Sequence, residues 1–140
     1  MTTERSYRRR RSALGLLLVT LGAAPLSAAE GTPSVSIRGP DALAADAHAS
    51  IPVLVGLAAA SADWPLTLTP RVEGTSLELV RGRFLRADAK QVDATHLRFD
   101  VPVVARSQGT AILRVELLTY TCDPECRSVT VQDSRVLQVR

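Results

Sequence analysis

At 140 residues, with 17 basic and 14 acidic side chains, a formal net charge of +3 and 46% hydrophobic residues, the chain has the size of one globular domain with a single core. It holds only two cysteines, two histidines and one tryptophan. That inventory excludes a Cys/His cluster with zinc-ligand spacing, and no Gly-x-Ser-x-Gly element marks a serine nucleophile.

Residues 1–29 have the three-part form of a secretory signal. Arg8 to Arg11 make a basic start, Ser12 to Leu26 an apolar stretch, and Ser27-Ala28-Ala29 the small residues that precede a cleavage expected after Ala29. The apolar stretch is short for a membrane span and no second run of about 18 apolar residues follows, so export is expected. The general and twin-arginine routes both remain open. Five of the 17 basic residues and one of the 14 acidic ones lie in this segment, which leaves the expected mature chain at net −1. Arg38, Arg71, Arg81, Arg83, Arg86, Arg98 and Arg106 are interspersed with carboxylates, so no basic face for nucleic acid is expected. A periplasmic or extracellular location is oxidising, and two cysteines there predict one disulfide.

Residues 30–140 read as one domain. Ser34 to Arg38 alternates at period two as a first strand, and Gly39-Pro40-Asp41 is a turn. Ala42 to Ala49 has no apolar stripe and is expected to be loop or strand lead-in. Ser50 to Leu57 is an apolar, β-branched run that suits a buried strand, with Pro52 near its start or on an edge. Trp64 is expected as a core plug at the start of a strand, Leu66 to Thr69, that ends at Pro70, with a turn over Val72 to Thr75. Ser76 to Val80 alternates, Arg83 to Arg86 is brief, and Ala87 to Asp93 is a polar connection. Thr95 to Val101 alternates cleanly and places Leu97, Phe99 and Val101 on one face. Seven or eight short strands, turn signals every roughly 8 to 15 residues and no sustained period of 3.6 predict an all-β fold: an antiparallel immunoglobulin-like β-sandwich.

The most informative segment is Gly109 to Val139, a hairpin with Cys122 and Cys126 at its tip around Asp123-Pro124-Glu125. If the cysteines face each other, Leu117 opposes Val131, Thr119 opposes Val129, Tyr120 opposes Ser128 and Ala111 opposes Leu137. Odd positions then share an apolar side, while Arg114, Glu116, Tyr120, Cys122, Cys126, Ser128 and Thr130 share a polar, outward one. Arg135 opposite Leu113 breaks the apolar side and suggests a bulge or irregularity near Asp133-Ser134.

Directly opposed cysteines can be bridged. The bond can act as a staple on the last hairpin, or as an exposed disulfide open to an incoming thiolate. Asp123 and Glu125 flank the sulfurs and disfavour thiolate, which weighs against strong nucleophilicity. Two thiolates at C-x-x-x-C spacing could also hold a soft metal, but His48 and His96 are isolated from them, so neither metal nor cofactor is expected.

The segment Leu113 to Arg127, with Val115 to Cys122 followed by Cys126, resembles the end of the N-terminal periplasmic domain of the thiol:disulfide interchange protein DsbD family. Thr75 to Leu79 and Phe99 to Pro102 are also similar, so the resemblance spans about Trp64 to Arg127. It implies an immunoglobulin-like sandwich whose Cys122 and Cys126 pass reducing equivalents, with Tyr120 flanking them. The implied partner is a periplasmic or membrane thiol-disulfide protein. The cysteine loop here is shorter than in that family.

Overall fold

The computed structural model describes residues 32–60, 62–122 and 125–140; the expected signal segment, 1–29, lies outside them. Period-two alternation carries most elements. In chain order they are β1 (Ser34–Ile37), β2 (Ala42–Leu43), β3 (His48–Gly56), β4 (Thr67–Glu73), β5 (Leu77–Leu79), β6 (Phe84–Leu85), a single 3-10 turn at Arg86–Asp88, β7 (Lys90–Gln91), β8 (His96–Ala105), β9 (Gly109–Cys122) and β10 (Cys126–Val139). Three of these ten strands, β2, β6 and β7, have two residues each, which leaves seven longer ones.

The strands form two sheets, one ordered β1-β3-β8-β5 with β7 also on β8, the other ordered β2-β10-β9-β4-β6. β5 and β7 pair successive stretches of β8, while β6 between them crosses over to β4. β1-β3-β8-β5 opposite β10-β9-β4 is the ABED and GFC order of an immunoglobulin-like β-sandwich. One pairing departs from the antiparallel expectation: β2 runs parallel to β10 at Gln138 and Val139.

The core lies between the sheets. Ile51, Val53 and Val55 of β3 and Leu97, Phe99 and Val101 of β8 point in from one side. Leu68 of β4, Ala111, Leu113, Val115 and Leu117 of β9, and Leu137 of β10 meet them from the other. Each large side chain so buried contributes roughly 1.5 to 3 kcal/mol relative to exposure.

Two local expectations, for Pro70 and Trp64, are corrected, and the one for Pro52 is met at a local edge rather than at a strand start. Pro52 is the fifth of nine residues in β3, an interior strand. β1 partners β3 only from Val53 to Gly56, so Pro52 stands where its neighbour ends and β3 is locally an edge. Pro70 likewise lies inside β4, which continues to Glu73 where a turn was expected; β6 covers only Thr67 and Leu68, and beyond them β4 is an edge. Trp64 is half-buried outside the core, in the segment before β4, and its carbonyl accepts a hydrogen bond from Arg86 Nη1 at 3.3 Å.

The expected bulge near Asp133 is absent, and β9 and β10 pair without interruption from Cys126–Cys122 to Val139–Gly109. Arg135 fits opposite Leu113 because its guanidinium leaves the apolar side for the edge of β1. The Arg38 amide donates to the Pro52 carbonyl at 2.8 Å, so the backbone of Ile37 faces away from β3. Asp133 Oδ2 accepts the Ile37 N–H at 2.8 Å, and Arg135 donates to the carbonyls of Ile37 (3.2 Å) and Gly39 (2.7 Å) and to Asp41 Oδ1 (2.6 Å). Two polar side chains thus take the place of a neighbouring strand and close that edge.

Candidate functional site

Cys122 ends β9 and Cys126 begins β10, directly opposed and joined as a disulfide with their Cα atoms 3.9 Å apart. The expected register holds along the whole hairpin, Tyr120 opposite Ser128 and Leu117 opposite Val131 included. Because side chains alternate across a strand, burial of Leu113, Val115, Leu117 and Thr119 forces Cys122 and Cys126 outward. Cys126 is exposed and Cys122 half-buried. Glu125 is exposed beside them, whereas Asp123 lies outside the described residues.

The surroundings are less polar than the hairpin sequence alone suggests. Tyr120 is 38% exposed, and Leu118, 39% exposed, pairs with Thr67, which in turn pairs with Leu85, 47% exposed. Tyr120, Leu118 and Leu85 therefore form an apolar margin on the outer face of the sheet that carries the disulfide. The signal for Leu118 was its even number in β9; Leu85 needed the β6–β4 pairing, which two residues cannot announce.

A concavity lies on the outer face of the other sheet. Ser34, Gly56 and His96 occupy one row across β1, β3 and β8, and with Leu57 and Ala58 they line a cavity of about 470 Å³. A methyl group on Gly56 would stand 2.5 Å from Ser34 Oγ and 3.7 Å from His96 Nε2, so the absent side chain leaves room between hydroxyl and imidazole. Asp93 Oδ1 lies 2.9 Å from His96 Nδ1. No sequence spacing links Ser34, Gly56 and His96; only strand register does. His48 is exposed at the start of β3, apart from both places. Among the described residues no group of three or more His, Cys, Asp or Glu side chains could hold a metal ion.

Asp93 is the one acid of this region with a displaced titration. The Thr95 amide, donating at 2.8 Å, and then the His96 side chain hold its carboxyl below the ordinary value of 3.8. A depressed carboxylate stabilises the fold above its unfolded pKa, and that contribution is lost as pH falls through the lower folded value. We expect carbon-detected NMR to place the Asp93 midpoint below 3.8, and Thr95→Pro, which removes the first donor, to raise it.

No protein-family model and no curated protein matches the chain. Among solved structures, it is similar to native alpha-2-macroglobulin from Escherichia coli, spanning domain MG7 to the C-terminus, with 15% identity and a TM-score of 0.49. That match covers 79% of this chain and 17% of the macroglobulin fragment. It is also similar to a cohesin module from a Clostridium perfringens family 33 glycoside hydrolase, with 10% identity and a TM-score of 0.41, over 79% of this chain and 98% of the module. Neither is a DsbD domain. No helix among the described residues is long and apolar enough to cross a membrane.

Proposed function

We propose that the chain is an exported domain that exchanges electrons with thiol proteins through Cys122 and Cys126. The observation that carries this reading is the outward, exposed position of Cys126 at the end of the hairpin, beside an apolar margin on which a partner can rest. An incoming thiolate attacks Cys126 Sγ, the S–S bond breaks, and Cys122 leaves as thiolate and takes a proton. The donor's second thiol then attacks the mixed disulfide, releasing Cys126 as thiol and the donor as disulfide. Two electrons and two protons pass to the domain. The signal segment and the oxidising compartment it implies support the same reading.

One observation favours a second reading, in which the bond is a staple. The cysteines close a ladder that is paired without interruption below them, the position in which a disulfide fixes strand register. Incubation with reduced glutathione at neutral pH separates the two. Exchange predicts a glutathione adduct on Cys126 of the folded protein within minutes. A bond that stays intact for hours when folded, yet is reduced readily in urea, would leave the staple.

A further inference from the structure

We propose that the free edge of β10 pairs with the same edge of a second copy of this chain. On one side β10 is bonded to β9 along its whole length; on the other, β2 covers only Gln138 and Val139. The Gln138 amide donates to the Asp41 carbonyl at 2.8 Å and the Arg140 amide to the Leu43 carbonyl at 2.9 Å, so even-numbered residues turn their backbone toward this outer edge. The register with β9 is unbroken, so the same parity holds back to Cys126. The backbone groups of Ser128, Thr130 and Gln132 therefore face outward, and they bond no backbone or side-chain group among the described residues. At Ser134 the open stretch ends, because its amide is taken by Asp133 Oδ1 at 2.9 Å.

The stretch Ser128 to Gln132 is β-branched at its centre and contains no charge, proline or bulge, the devices that ordinarily blunt an edge strand. Its sequence is also complementary to itself. When two copies pair antiparallel about a two-fold axis at Thr130, Ser128 faces Gln132 of the second copy, so even residues meet even residues and every outward N–H and C=O finds a partner. On the inner side Val129 meets Val131 of the second copy, each half-buried in the single chain. At both ends Arg127 meets Asp133 of the second copy, a pair of opposite charges. The Asp133 oxygens already accept from Ile37 and Ser134, and each retains a lone pair for an arginine. The pairing also sets Cys126 beside Ser134 of the second copy, with its disulfide still on the outer face.

A seven-residue edge is small beside the area of a standard interface, so the association is reversible. Sedimentation velocity on the purified protein is expected to show the average mass rising from monomer toward dimer between about 1 µM and 1 mM. Thr130→Pro removes a donor that faces the edge and not β9, so it should weaken the dimer by at least about tenfold with an unchanged circular dichroism spectrum. Arg127→Glu, which sets like charges against each other, should do the same without touching the backbone, and added salt should weaken the wild-type dimer. A monomer at every concentration, or a dimer indifferent to Arg127→Glu, would overturn the proposal.

Discussion

Replacing Phe99 with alanine is expected to lower the unfolding free energy by about 3 to 5 kcal/mol. Phe99 is fully buried at the middle of β8, opposite Val53, and meets the edge of Phe84 at a centroid distance of 6.2 Å with ring planes at 74°. Phe84 belongs to two-residue β6, whose own backbone pairing is too short to hold it, so the aromatic contact ties the crossover between the sheets to the core. The Arg81 guanidinium lies over the Phe84 ring, 4.7 Å from its centre. The loss is a large share of a domain's usual total of about 5 to 15 kcal/mol. Denaturant titration checks it, and Phe84→Leu should cost less, since it keeps most of the apolar volume and gives up the edge contact.

Changing Cys122→Ser together with Cys126→Ser is expected to abolish thiol exchange while leaving a folded protein. The bond closes a loop of only a few residues, so its removal should cost about 2 kcal/mol or less. Below the tip, Leu117 and Val131, Thr119 and Val129, and the core contacts of β9 with β4 keep the hairpin in register without it. The far-ultraviolet circular dichroism spectrum should therefore match the wild type, and the glutathione adduct should vanish. A variant that unfolds would show the bond to be a requirement of the fold.

Much of the architecture is legible in the sequence because one physical signal, alternation, is strong in the long strands. Leu97, Phe99 and Val101 declare the inner face of β8, and constant position sums from the cysteine pair give the register of β9 and β10 to its last residue. What the sequence hides depends on neighbours. Pro52 and Pro70 argue against strand interiors, yet both are tolerated where an adjacent strand stops short. Arg135 looks like a fault in an apolar face until the open edge of β1 supplies carbonyls for its guanidinium. Trp64 has the volume of a core residue but falls in the segment ahead of β4, outside the core. The outward direction of the cysteines was legible from parity. The apolar margin of Leu85 beside Leu118, and the row of Ser34, Gly56 and His96, were not, because long-range strand pairing assembles them.

The proposed exchange function rests on whether the Cys122–Cys126 bond is poised for reduction, and its equilibrium reduction potential tests that most directly. Equilibrating the folded protein with glutathione or dithiothreitol buffers and quantifying the free thiols gives the value. Exchange predicts a potential in the range of thiol-disulfide oxidoreductases, about −120 to −270 mV. A value well below about −300 mV, where structural disulfides of exported proteins lie, would contradict it and leave the bond a staple.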